Sequence, residues 1–161
     1  MVAVKFATGI ICMLSLSAAA DESVLCSRWR FHRGDVAGAE AAGFDDGEWD
    51  GVSVPHDWAI AGPFDPALDG NTGKLPWRGR GTYETTITCA ELPKGRVFLD
   101  FEGVMAHATV FANGNPCGRG DYGYLGFRAD LTPYLMKGAN KIVVKVDTDN
   151  FKSRWYHGGG I

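Results

Sequence analysis

Residues Asp100 to Gly126 read DFEGVMAHATVFANGNPCGRGDYGYLG. The stretch describes a strand, a short bend, a second strand ending in an Asn-Gly turn, and a glycine-rich exit carrying Tyr122 and Tyr124. Ala108, Val110 and Ala112 fall on one face of the second strand, Thr109 and Phe111 on the other. Asn113-Gly114 supplies the positive φ angles that a two-residue hairpin turn needs.

The same period of two continues outward in both directions. Upstream, Val97, Leu99 and Phe101 alternate inward along Arg96 to Phe101. Before them Tyr83, Thr85, Ile87 and Cys89 share one face, while Glu84 and Thr86 look the other way. Downstream, Phe127 to Leu131 reads as a short strand and Thr132 to Leu135 as a helical turn, with Pro133 well placed in its first turn. Lys141 to Asp147, with IVVKV at its centre, is the most strand-like run of all.

Nearer the amino terminus, Ser27 to Phe31 is a strand, Gly34 to Gly47 a loop, and Val52 to Val54 a strand stopped by Pro55. His56-Asp57-Trp58 follows directly, and then a long aperiodic connection, Ala59 to Gly81, rich in Gly and Pro. Loops of that length in a compact domain usually serve function or are disordered, and this one carries Trp77, Arg78 and Arg80 near its end. Every regular element is short and β, which predicts an all-β antiparallel sandwich.

With 161 residues, 45% hydrophobic and 22% charged, the chain can bury one sizeable core. A net charge of −3 without any basic stripe argues against nucleic acid as a partner. Residues 1–20 read as a signal peptide: Lys5, an apolar run from Phe6 to Leu16, and small residues Ala18-Ala19-Ala20. Cleavage after Ala20 and export to the periplasm or exterior are the expectation, leaving residues 21–161 as the domain. Cys26, Cys89 and Cys117 then remain. One bridge to Cys117, from either Cys26 or Cys89, or three buried thiols acting as small hydrophobes all fit.

Candidate chemistry is sparse. Asp100 and Glu102 lie two apart on one strand, with carboxylates about 6–7 Å apart by strand rise, a spacing that glycosidases use. Alternation alone also puts acids on the solvent face opposite Val97, Leu99 and Phe101. His32, His56, His107 and His157 show no metal-ligand spacing, and no Ser or Cys stands in a nucleophile motif. Ser153-Arg154-Trp155-Tyr156-His157, followed by three glycines, follows directly on a strand. It offers guanidinium donors and aromatic faces suited to sugars, or a corner covering the core.

Taken in order, these pieces resemble the amino-terminal sugar-binding domain of glycoside hydrolase family 2, the β-galactosidase and β-glucuronidase family. The resemblance rests on Phe44-Asp45-Asp46 with Trp49, Val54-Pro55-His56-Asp57-Trp58, Gly81-Thr82-Tyr83 and Phe101-Glu102-Gly103-Val104. It continues through Val110 to Gly114, Gly123-Tyr124 with Phe127, Asp130-Leu131-Thr132, Gly138-Ala139-Asn140, and Ser153 to Tyr156 up to Gly160-Ile161.

The resemblance implies a jelly-roll, galactose-binding-like sandwich packed on a separate (β/α)₈ barrel. That barrel would carry the catalytic glutamates of a retaining β-glycosidase, so this chain would hold no catalytic residue; with no metal-ligand spacing among its histidines, no metal and no cofactor are expected in it. Its part would be to wall one side of the pocket and hold a β-galactoside or related glycan. By the same likeness, Arg78 and Arg80 sit on a pocket-reaching loop, and Arg154 stands where some members carry a sugar-contacting Asp. Members continue after Gly-Ile with another strand, so the sandwich is expected to lack its last strand and to show a bare edge. A free-standing carbohydrate-binding module or lectin of the same shape is the alternative, and a structural spacer a third.

Overall fold

The computed structural model describes residues 2–7, 21–68, 78–149 and 158–161. Its strands are β1 (Val2–Ala7), β2 (Asp21–Val24), β3 (Trp29–Arg33), β4 (Asp50–Val52), β5 (Arg80–Cys89), β6 (Arg96–Phe101), β7 (Ala108–Ala112), β8 (Asn115–Gly120), β9 (Phe127–Asp130) and β10 (Gly138–Asp147). The helical content among the described residues is two 3-10 turns, Trp58–Ala61 and Thr132–Tyr134. The strands form two sheets, ordered β2-β1-β6-β9 and β4-β3-β5-β10-β7-β8, with antiparallel neighbours throughout. This is the all-β sandwich that the alternation predicts.

The core lies between the sheets. Val97, Leu99 and Phe101 of β6 with Ala129 of β9 face Trp29, Phe31, Tyr83, Val110, Ile142 and Val144 of the larger sheet. Asn113 (φ 49°) and Gly114 (φ 83°) make the tight turn between β7 and β8, with Ala112 opposite Asn115. The Asn113 side chain then ties this hairpin to the next strand. Its Nδ2 donates to Tyr134 O at 2.8 Å and Asn140 Oδ1 at 2.9 Å, and its Oδ1 accepts from Lys141 N at 2.9 Å.

The outer face of the larger sheet is covered as well. Ala39 and Trp49, with Val36 and Phe44, pack on Val143 and Phe111. That second layer explains why Ile142, Val143 and Val144 are apolar in a row, since β10 is buried on both faces. It also buries Glu84, which alternation alone assigns to an exposed face.

Three sequence expectations need correction. The glycine-rich exit after Asn113-Gly114 is a strand, β8, despite Pro116, Gly118 and Gly120. Glycine is required there because Ala129 and the Phe127 ring press directly on the backbone, leaving no room for a Cβ. Second, residues 2–7 do not stand outside the fold. They pair with β6 from Val2↔Phe101 to Ala7↔Arg96 and with β2 from Ala3↔Val24 to Phe6↔Asp21, and Val2 is 1% exposed. Third, β6 is paired on both sides, by Val2–Ala7 and by β9, so the bare edge expected of the sandwich does not fall on it. Cys26, Cys89 and Cys117 are free thiols, and burial pushes that of Cys117 up to about 12.

Candidate functional site

His56-Asp57-Trp58 is the knot that holds the far end of the sandwich together. Asp57 Oδ1 accepts from Ala59 N at 2.8 Å, capping the first 3-10 turn, and from Gly159 N at 2.9 Å. Trp58 N donates to Gly159 O at 2.9 Å and His56 N to Ile161 O at 2.7 Å. Gly160 bridges Asp57 on one side and Met105 on the other. Its φ of +147° and the approach of His56 O and the Tyr83 hydroxyl restrict this position to glycine.

The Trp58 indole, 2% exposed, stacks on Phe31 at 5.6 Å between centroids. Gly81 and Gly159 both rest on it, so closely that an added Cβ would come within 2.8 Å and 2.7 Å of the ring. One side chain therefore anchors two loop ends, that leading into β5 and that closing on Ile161. Its Nε1 has no hydrogen-bond partner among the described residues.

Above this anchor stands the rim that the sequence singles out. Thr148 N donates to Gly79 O at 2.8 Å and Gly79 N to Thr148 Oγ1 at 3.0 Å, which fixes the backbone between Arg78 and Arg80. Arg78 is exposed. Arg80 Nε donates to Asp147 Oδ2 at 2.9 Å and Nη1 to Asp35 Oδ2 at 3.3 Å. Those carboxylates, Asp147 first, hold its guanidinium charged. Arg154, and with it Trp77 and Trp155, lies outside the described residues.

Arg80 opens onto a cleft of about 320 Å³ lined also by Asp35, His107, Arg119, Lys145 and Asp147. Its floor is a cross-strand row: Lys145 stands opposite Thr109, which stands opposite Arg119. Lys145 Nζ lies 3.4 Å from Asp35 and 3.1 Å from Glu40. Donors alternate with acceptors, an arrangement suited to a hydroxyl-rich ligand. Sequence reasoning missed these partners because they meet only through long-range strand register and the loops at Asp35 and His107. Outward alternation on β7 and β10 is the one signal that could have found them.

Asp100 does not line the cleft beside Arg80 and is instead held in an ion pair with Arg128. Arg128 Nε and Nη2 both donate to its carboxylate across the β6–β9 pair, the second at 3.2 Å. Among the described residues no three His, Cys, Asp or Glu gather as metal ligands.

The glycosyl hydrolase 2 galactose-binding domain-like family matches residues 57–156, which begin at the Asp57 anchor and run through both rim strands. The chain belongs to this family. Within it, the chain is similar to the beta-galactosidase BoGH2A of Bacteroides ovatus, 40% identical over 152 residues that cover 91% of the chain and 18% of that protein. A beta-glucuronidase of Formosa agariphila is 31% identical over 140 residues, 80% of the chain and 14% of its own length. A crystal structure of a beta-glycosidase from Bacteroides vulgatus superposes with a TM-score of 0.77 at 38% identity, covering 84% of the chain and 18% of that structure. The chain thus spans less than a fifth of these relatives. In this galactose-binding-like sandwich, the described sheets supply a scaffold and a polar rim, and the loop ends at Gly81 and Gly159 rest on the Trp58 ring.

Burial lowers the His56 pKa, against the pull of Asp57 and Asp50, and His56 Nδ1 lies 2.8 Å from the Tyr83 hydroxyl. Folding therefore favours the neutral ring. The stability this contributes is complete above the unfolded value near 6.5 and is lost as pH falls through the lower folded value. Urea unfolding at pH 7.5 and pH 5 should show a drop in stability, and His56→Gln should flatten it. An equal drop in the variant would place the titration elsewhere.

Proposed function

We propose that this chain is the front, sugar-binding module of an exported retaining β-glycosidase that hydrolyses O-glycosyl bonds, with β-galactosides as the preferred class. The observation that carries this is the family match within relatives more than five times the chain's length, named as beta-galactosidase and beta-glucuronidase. On this reading a downstream (β/α)₈ barrel supplies the acid/base and nucleophile carboxylates. This domain walls one side of the pocket, with Arg78, Arg80 and Arg154 as the candidate donors to sugar hydroxyls. Residues 1–20 direct export and are removed after Ala20.

Arg80 suits such a role because Asp147 and Asp35 pin its plane while its side chain remains 47% exposed. A pinned guanidinium loses little further freedom when it donates to a hydroxyl. Arg78→Ala with Arg80→Ala, made in the chain joined to its barrel, should lower kcat/KM roughly ten- to hundredfold. Unchanged kcat/KM would make the domain a spacer. Titration of the chain alone with galactose separates the lectin alternative. A pocket wall binds no tighter than millimolar, whereas a free-standing binding module saturates well below that.

A further inference from the structure

The cleft beside Arg80 carries more acid than base. Among the described residues three permanent cations line it, Arg80, Arg119 and Lys145, and five carboxylates pair with them. Arg80 lies within 4.0 Å of Asp35, Asp147 and Asp149. Lys145 lies beside Asp35 and Glu40, and Arg119 Nε is 2.7 Å from Asp121 Oδ1. His107, whose Nδ1 is 3.6 Å from the same Asp121 oxygen, adds at most one positive charge. The balance therefore stays negative whatever the state of that ring.

Asp35 holds the decisive place. Its Oδ2 accepts from Arg80 Nη1 at 3.3 Å, and its Oδ1 lies 3.4 Å from Lys145 Nζ. A carboxylate so placed fills the space between two cations, the position that a ligand carboxylate would seek. The seat is fixed by the residue before it. Gly34 (φ +134°) donates from its N to Arg80 O at 2.8 Å, and its O accepts from Thr82 Oγ1 at 2.8 Å. Those two bonds fasten the end of β3 to the start of β5 and hold Asp35 beside Arg80. The Asp35 side chain is still 46% exposed, and it lines the cleft.

Neutral and acidic sugars fare differently in such a cleft. A hydroxyl both donates to carboxylates and accepts from guanidinium and ammonium groups. A uronate carboxylate only accepts, and each cation it could approach already has an internal carboxylate that would repel it. We infer that Asp35 is a specificity-determining residue: it fills the anion position between Arg80 and Lys145 and turns acidic sugars away, leaving the cleft to uncharged ones. The inference rests on the sugar-binding reading proposed above and deepens it, since the relatives divide between beta-galactosidase and beta-glucuronidase. Discrimination of this kind comes from a built-in repulsion rather than from better contacts to the accepted ligand.

The test titrates the full chain with methyl β-galactoside and with methyl β-glucuronide, following the amides of Asp35, Thr109, Arg119 and Lys145 by NMR. The galactoside should shift them saturably in the millimolar range, and the glucuronide should bind at least about tenfold more weakly. At about 0.5 M salt, where charges are screened within a few ångströms, the glucuronide should gain affinity and the galactoside should stay level. Asp35→Asn keeps the shape and removes the charge, and should bring the two affinities within about threefold of each other. Asp35→Glu should keep them apart. A parent chain that takes both sugars equally, an Asp35→Asn variant that discriminates as fully as the parent, or an Asp35→Glu variant that no longer discriminates would each overturn the inference while leaving the sugar site standing. Cleft amides that neither sugar moves would remove the sugar site itself, and the inference with it.

Discussion

Replacing Trp58 with alanine is expected to cost the domain about 3–5 kcal/mol, seen as a fall in melting temperature of about 10 °C. The size follows from the place of the ring. Trp58 is buried to 2% exposure, lies on Phe31, and meets Tyr83 at 6.3 Å. Gly81 and Gly159 press on it from above, so the cavity would open beneath two loop ends at once and could not collapse without moving both. Because Nε1 bonds to nothing among the described residues, Trp58→Phe removes packing alone and should lose clearly less. Amide exchange at residues 78–81 and 158–161 should accelerate in the alanine variant beyond the rest of the sheet. Uniform acceleration would show that the ring supports the core generally rather than the rim.

Lys141→Ala is expected to be as damaging, about 3–5 kcal/mol at neutral pH. Lys141 Nζ lies 2.8 Å from Glu84 Oε2, and both side chains are about 10% exposed under the Phe44–Trp49 layer. The same ammonium donates to Phe44 O at 3.3 Å and sits 5.2 Å from the Phe44 ring centroid. Burial raises the Glu84 pKa, and Lys141 is the main opposing influence. Without it the carboxylate must be buried unpaired or take up a proton. A raised carboxyl contributes stability that is complete below its unfolded value near 4.3 and lost as pH rises through the folded value. The deficit should therefore shrink when unfolding is measured at pH 5 instead of pH 7. Glu84→Leu combined with Lys141→Met removes both charges and should recover most of the loss. A single variant that melts within about 1 kcal/mol of the parent would mean that water reaches the pair.

The contrast between these two sites marks how far the sequence is legible. Local rules carry the hairpin: alternation in Ala108–Ala112 and Asn113-Gly114 set its strands and turn without outside help. Glu84 defeats the same alternation because its cover comes from Ala39, Phe44 and Trp49, a loop tens of residues away. NPCGRG fails as a strand by propensity and forms one because only glycine fits under Ala129 and Phe127. Val2–Ala7 has the composition of a leader and the pairing of a strand, two roles one apolar segment can satisfy.

The site divides in the same way. Arg78 and Arg80 stand out through the length of the loop that they close, and a sugar-contacting role comes to them only through family likeness. Their support was partly visible: His56-Asp57-Trp58 and Gly158–Ile161 stand out as motifs, but that one ties the other down emerges only from the bonds of Asp57 to Gly159 and of His56 to Ile161. Asp35, Arg119 and Lys145 join Arg80 from three separate segments, and alternation marks Lys145 as outward-facing without saying which residues it meets.

The central claim is that this sandwich shapes a sugar pocket while the bond-breaking groups reside elsewhere. Incubating the purified chain with a chromogenic β-galactoside tests it most directly. The account predicts no release above the buffer rate, even at high protein concentration, and saturable turnover by the chain alone would contradict it.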